Sequence, residues 1–385
     1  MNVAIITGHF PPSKGGGIAE WAFGVARVLP KIGYKTSVYV THRKDRNLNI
    51  HNNEQFTCKP MYGRNWHEFH RFYSGYYMWK ILKKDPDTIF ITTTWGMAKP
   101  FKFIKKYYPK SKMIVVAHGL EITRLKSSRE LRSISKVVSS SDLVLSVSRF
   151  TRDEIKNRLQ NINTNHVRFL PNGVDIDRFY QCSVDSNFFE KYNIPPDSDL
   201  VLTLARIIKR KAHDDVIRAL PDILSEFPKT HYAIAGPHRK NDPYLNSLKN
   251  LAKELSIEQH VTFIDFIPDT DLKKIYSASK VYVMASRTLH KTGDSEGFGI
   301  TFLEANACGC PVIGSYEGGI PDAVEDGVNG LLVPSDSPSD IALAIKKIFS
   351  NEGYRQGLVN KGMKRVSERF TWEKLTIQMM DMLNK

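Results

Sequence analysis

Short strand-like runs and helical stretches alternate along the whole chain, and this alternation restricts the fold more than any other feature. The runs at 3–6, 36–40, 88–91, 113–117 and 143–147 are strand-like, and helical stretches separate most of them, the first over residues 18–29. That rhythm predicts an α/β fold with a doubly wound parallel sheet. A second series begins at 200–204 and continues through 231–235, 261–263, 281–285, 311–313 and 330–333. Two series predict two Rossmann-like halves, with a ligand in the cleft that faces the carboxyl ends of the strands. A chain of 385 residues is long enough for both. The polar segment 180–198, with Pro195-Pro196 near its end, reads as the linker. The expected domains are therefore 1–178 and 179–371. Residues 41–87 contain no element that the pattern places.

Bulk properties narrow the function class. With 41% hydrophobic and 25% charged residues, the chain reads as a soluble globular protein. No apolar run approaches the ~20 residues needed to span a bilayer. The start reads as a first strand and lacks the basic region and apolar core of a signal peptide, so a cytoplasmic location is expected. The four cysteines form no disulfide framework, and Cys308 and Cys310 read as small buried residues. The order His67-Glu68-Phe69-His70 is not a zinc pattern. The net charge of +15 fits nucleic acid, an anionic membrane surface or an anionic substrate. No nucleic-acid motif accompanies it, so nucleic acid is not an expected partner. Many of the cations lie between Lys31 and Arg168, which makes one half the basic one.

The chemistry concentrates at 294–309. Asp294, Ser295 and Glu296 end a loop, and a helix is expected to open near Phe298. The amides of Gly297, Phe298 and Gly299 would then face a phosphate, since a helix start carries unpaired donors and partial positive charge. Glu304 falls at the edge of the stripe formed by Ile300, Leu303 and Ala307, so a half-buried carboxylate is expected there. Two glutamates eight residues apart across a Gly-rich helix start point to a sugar or phosphate ligand rather than to solvated side chains.

Other candidates stand at strand ends. Gly15, Gly16 and Gly17 close the first loop, which matches neither a dinucleotide fingerprint nor a Walker loop. His118 follows the run 113–117, where such sheets bind ligands. Arg206 and Lys211 follow the run 200–204; arginine grips phosphate with two donors and lysine acts as a compact charge. Asp175-Ile176-Asp177 lies at a domain junction and is not read as a metal site.

Taken with the surrounding Gly-Phe-Gly, Leu-Glu-Ala and Gly-Cys-Pro-Val-Ile-Gly, the pair Glu296 and Glu304 resembles the E-x7-E signature of family 4 glycosyltransferases, retaining enzymes of the GT-B fold. Further matches are His118-Gly119, Pro171-Asn172-Gly173-Val174-Asp175 and Phe370-Thr371-Trp372, so the resemblance spans nearly the whole chain. The chain departs from the pattern at Ala205 and Ala212, where glycines are usual.

The resemblance implies two Rossmann-like domains facing a cleft, with the last helix, 372–384, crossing back to the acceptor-side first domain. It implies that Arg206 and Lys211 neutralise a departing diphosphate, that Glu296 holds sugar hydroxyls, Glu304 the ribose, and His118 the donor sugar. Gly15–Gly17 would close over donor and acceptor, while Gly236, Phe266 and Ile267 would lie beside the nucleotide. The cosubstrate would be a nucleotide-diphosphate sugar, with no cofactor and no metal required. The motif style leans to bacterial enzymes using GDP-mannose, with UDP-glucose and UDP-N-acetylhexosamines as other donors. Rival readings are a GT-B nucleotide-sugar epimerase or hydrolase, and a basic nucleic-acid-binding protein. The acceptor is expected to be a glycan or a lipid-linked sugar. Aromatics among cations over 62–82, including Trp66 and Phe69, would then give peripheral contact with the inner face of an anionic membrane.

Overall fold

The computed structural model describes residues 1–12, 16–41, 51, 54–62, 70–239 and 241–384, with the side chains of His70 and Arg71 left aside. The chain divides into two compact units, Met1–Gly173 with Trp372–Lys385, and Val174–Thr371. In the first, seven parallel strands run in the order β3-β2-β1-β4-β5-β6-β7. They are β1 (Asn2–Thr7), β2 (Lys35–Thr41), β3 (Thr57–Met61), β4 (Ile89–Thr92), β5 (Lys112–Ala117), β6 (Leu143–Ser146) and β7 (Val167–Phe169). The inner strands are buried along nearly their whole length, as a sheet covered on both faces requires. The order reverses between β1 and β4, which is the switch point of this sheet.

The region 41–87, where the pattern placed nothing, contributes β3 and the helix His70–Leu82. β3 is an edge strand with Pro60 in it, which an edge tolerates because one side needs no ladder donor. The helix Trp372–Asn384 packs on the helix Gly17–Val28. Its Trp372 ring covers Gly24 and Gly173, where an added Cβ would lie 2.3 and 2.7 Å from the indole. Any larger residue at Gly24 would displace this helix.

The second unit holds six parallel strands in the order β10-β9-β8-β11-β12-β13. They are β8 (Asp199–Leu204), β9 (Thr230–Ala235), β10 (Val261–Ile264), β11 (Val281–Met284), β12 (Val312–Ser315) and β13 (Gly330–Val333). Its switch point lies between β8 and β11. The segment 180–198 is not a bare linker: it includes the helix Ser186–Lys191, capped by Asp185. Phe188, Tyr192 and Ile194 are buried, and Tyr192 donates to the Asp271 carboxylate at 2.7 Å. Those apolar residues anchor the segment to the second unit.

Candidate active site

The loops after β8 and β11 flank the switch point of the second sheet, and both carry charge. The turn Lys209–Lys211 follows β8 and ends at Ala212, whose φ of 55° is left-handed. That conformation explains why glycine is the usual residue there, since a side chain is strained in it. Across the switch point, Glu296 accepts hydrogen bonds from Arg210 Nη1 and Lys211 Nζ, each at 2.5 Å and each to Oε2. All three side chains are buried, with 12%, 5% and 10% of their surface exposed.

A buried cluster of this kind is stable only while its charges compensate. Burial raises the Glu296 pKa, but Lys211 and Arg210 outweigh it and hold the carboxyl down at about 2. Burial pulls Lys211 down to about 8; Glu296 resists this, while Arg210 and Arg206 add to it. Arg206 itself is exposed, with no ion pair among the described residues, beside a lysine whose charge it opposes. Two cations therefore face one carboxylate, with a third at the surface, and the excess positive charge suits a diphosphate.

Arg210 is a site residue that the sequence pattern missed. Its backbone carbonyl accepts from the Arg287 amide at 2.9 Å, and the Arg287 guanidinium pairs with Asp214, Asp215 and Asp336. The basic turn is thus tied to the end of β11 and to the first turn of the helix His213–Glu226. A second omission is the support of Glu296 from behind. Gly319 donates its amide to the Glu296 carbonyl at 2.9 Å. At Gly318, φ is 58° and an added Cβ would lie 2.4 Å from that same carbonyl oxygen. Only glycine fits, so the Gly-rich loop after β12 fixes the backbone of Glu296.

The helix after Glu296 starts later than the pattern placed it, at Ile300, and runs to Ala307. Gly299 has a φ of 92°, which interrupts helical geometry before it. Phe298 is turned into the core, 1% exposed, with its ring 6.3 Å from Phe370. Gly297, Phe298 and Gly299 therefore form the loop before the helix and not its first turn. Glu304 is buried, 8% exposed, rather than half-buried, because the helix is enclosed on all sides over its last two turns. Tyr276 donates to its Oε2 at 2.8 Å. Beyond β9, Gly236 has a φ of 151° and passes so close to the Ala205 carbonyl that a Cβ would lie 2.0 Å away. Beyond β10, Phe266 is 61% exposed while Ile267 is buried.

In the first unit, His118 stands at the carboxyl end of β5, and its amide donates to the Glu121 carboxylate. Its ring meets Trp21 edge-on at 6.0 Å, and its buried Nε2 has no partner among the described residues. Burial, and then His9, lower its pKa to about 3, so it acts as a neutral imidazole. Gly16, with φ 61°, caps the helix that Gly17 opens. Gly15 lies outside the described residues. Among the described residues no group of three or more His, Cys, Asp or Glu is placed to hold a metal ion.

Comparison with known proteins decides the family. The family model described as "Glycosyltransferase Family 4" matches residues 15–178, and that described as "Glycosyl transferases group 1" matches residues 184–365. The chain is a glycosyltransferase of the family 4 type, with the GT-B fold. A GDP-mannose-dependent alpha-(1-6)-phosphatidylinositol monomannoside mannosyltransferase of Mycolicibacterium smegmatis is 28% identical over 76% of this chain and 76% of its own. An uncharacterized glycosyltransferase of Methanocaldococcus jannaschii is 26% identical over 97% of this glycosyltransferase and 96% of its own length. In three dimensions, the sucrose-phosphate synthase of Thermosynechococcus elongatus superposes with a TM-score of 0.79. It covers 100% of this chain and 98% of its own at 21% identity, a likeness of fold.

Proposed function

We propose that this glycosyltransferase is a retaining hexosyltransferase that uses GDP-mannose. It passes the mannose to a hydroxyl of a glycan or lipid-linked acceptor, in the synthesis of a cell-surface polysaccharide or glycolipid. It works in the cytoplasm, at the inner face of the cell membrane. The observation that carries the reading is the Glu296 carboxylate clasped by Arg210 and Lys211 at the switch point of the second sheet. The donor's diphosphate draws Lys211 and Arg206, whose charges stabilise the negative charge that grows as the glycosidic C–O bond breaks. Arg210 stays on Glu296 and keeps it ionised to accept hydrogen bonds from sugar hydroxyls. Glu304, held by Tyr276, takes the ribose. Gly236, Phe266 and Ile267 are assigned to the nucleotide, and His118, Gly16 and Gly17 to sugar and acceptor, by resemblance alone.

Retention follows from attack on the face that the phosphate leaves. The acceptor oxygen bonds to the anomeric carbon as the carbon–phosphate oxygen bond breaks, and a donor phosphate oxygen takes the acceptor proton. Because Arg206 and Lys211 answer the diphosphate charge, no divalent metal is required. The choice of GDP-mannose rests on the motif style and on the donor named for the mycobacterial relative. A thermal-shift panel of GDP, UDP and ADP sugars tests it. GDP-mannose at a hundredfold excess over its Kd raises the melting temperature by about 5–10 °C, more than the others do. A larger shift with UDP-glucose or a UDP-N-acetylhexosamine replaces the donor, and no shift with any sugar nucleotide rejects the reading.

A further inference from the structure

Two neighbouring helices of the first unit expose aromatic rings among lysines. The helix His70–Leu82 buries Ser74, Met78 and Leu82 along one face. Its opposite side carries Phe72, Tyr76 and Trp79, which are 58%, 55% and 44% exposed, at the spacing of a single helical stripe. The helix Phe101–Tyr107 buries Phe101 and Ile104 and exposes Phe103 and Tyr107, 66% and 82%. Met78, Leu82, Phe101 and Ile104 belong to one hydrophobic cluster, so both helices cover the same face of the sheet. They are in contact, and Gly75 permits it: an added Cβ would come 3.0 Å from Pro100.

The charge carried by the two helices themselves has a single sign, with the exposed Asp85 and Asp87 just beyond the first and Asp142 paired with Lys105 of the second. Residues 70–84 and 99–112 contain no aspartate or glutamate. Lys80, Lys83 and Lys84 are exposed on the first helix and just beyond it, and Lys99, Lys102, Lys106 and Lys110 on and around the second. The Lys83 ammonium lies 3.6 Å from the Trp79 ring centroid, so ring and cation share one spot. A soluble surface has no reason to expose five large aromatics on two touching helices. A nucleic-acid or acidic-protein partner would account for the lysines but not for rings standing outward at helical spacing. A lipid headgroup layer accounts for both, since rings settle at headgroup depth while lysines meet anionic phosphates.

We propose that this two-helix face docks the enzyme on anionic lipid, with Trp79, Phe103 and Tyr107 entering the headgroup layer and the lysines supplying attraction. The inference rests on the membrane-side function proposed above and names the surface that serves it. Sedimentation with phosphatidylglycerol vesicles, and with phosphatidylcholine vesicles as the neutral control, tests it across a salt series. Two variants accompany the wild type: K102Q/K106Q and W79S/F103S/Y107S. The wild type binds phosphatidylglycerol at low salt, ignores phosphatidylcholine, and weakens as salt rises. Each variant binds about tenfold more weakly or worse, with an unchanged melting temperature.

No binding to phosphatidylglycerol at low salt overturns the proposal. So does a result in which the lysine variant loses binding while the aromatic variant keeps it, which marks a general polyanion surface. Binding of GDP-mannose is measured on the same samples without vesicles. Donor binding with no vesicle binding sinks the docking surface alone; vesicle binding with no donor binding sinks the donor assignment alone.

Discussion

Lys211 should impose an alkaline limb on the reaction, and its position can be worked from the site. Its ammonium is enclosed, and burial with help from Arg210 and Arg206 lowers its pKa to about 8 against the pull of Glu296. The surrounding groups leave that window clear. Burial lifts Tyr276 and Tyr282 well above their ordinary value, and it raises the Cys308 thiol. His213 is lowered to about 4. The protonated lysine is the form that meets a diphosphate, so activity is lost as pH rises through 8. Because kcat/KM reports the free enzyme, it should fall tenfold per pH unit above 8 and be about a hundredfold lower at pH 10 than at pH 7. The limb in kcat should sit at higher pH, because bound diphosphate favours the ammonium. Lys211→Arg keeps its charge over the whole range and should remove the limb, whatever its absolute rate. Initial rates of nucleoside diphosphate release across pH 6–10 (an assay range on the order of four units around the Lys211 value) provide the test. A flat kcat/KM to pH 10, or an unchanged limb in Lys211→Arg, would refute a phosphate-binding role for this ammonium.

Three further outcomes follow from the same geometry. Arg210→Gln leaves the buried Glu296 with one cation and should cost about 3 kcal/mol at pH 7, the low end for breaking a buried pair. The Glu296 pKa is depressed from 4.5 to about 2, so its stabilisation is complete above 4.5 and lost as pH falls through 2; the gap between wild type and variant should close over that window. All five tryptophans lie in the first unit, so far-UV circular dichroism, not tryptophan fluorescence, should register this loss. Gly318→Ala forces a Cβ against the Glu296 carbonyl at positive φ and should destabilise by about 2 kcal/mol or more, read as a fall in melting temperature with reduced turnover. Turnover should survive excess EDTA; abolition by EDTA and restoration by Mg²⁺ or Mn²⁺ would show that Arg206 and Lys211 do not suffice.

Much of the fold was legible in the sequence because inner strands of a parallel sheet are continuous apolar runs, and β1, β5, β8 and β9 read that way without help. The edge strands of the first sheet did not. β3, Thr-Cys-Lys-Pro-Met, is half exposed and interrupted by proline, and β7 is three residues long with Arg168 in its centre. Composition also misled at 180–198, where a polar surface hides the few residues, Phe188, Tyr192 and Ile194, that fasten the segment down. At the candidate site, the sequence singles out Glu296 by its place before a Gly-rich helix start and Lys211 and Arg206 by their place after a strand; the structure brings Glu296 and Lys211 together and leaves Arg206 exposed. Arg210 escaped notice because adjacent cations in a basic run look alike, and only the fold turns this one inward to 5% exposure. Gly318 escaped for a similar reason: a glycine pair signals a turn, but not whose backbone it must clear. The helix start was misplaced by two residues because Gly299 adopts a conformation that glycine permits and does not announce.

Turnover of GDP-mannose by the wild type beside Arg206→Ala and Lys211→Ala most directly tests whether the loops at the β8–β11 switch point form the diphosphate seat. Charge on the leaving group grows in the transition state, so each variant should lose about a hundredfold or more in kcat. Arg206→Ala, at an exposed position, should keep its melting temperature, whereas Lys211→Ala breaks the buried pair with Glu296 and is assayed well below its lowered melting temperature. Wild-type rates in both variants would contradict the assignment and move the diphosphate elsewhere in the protein.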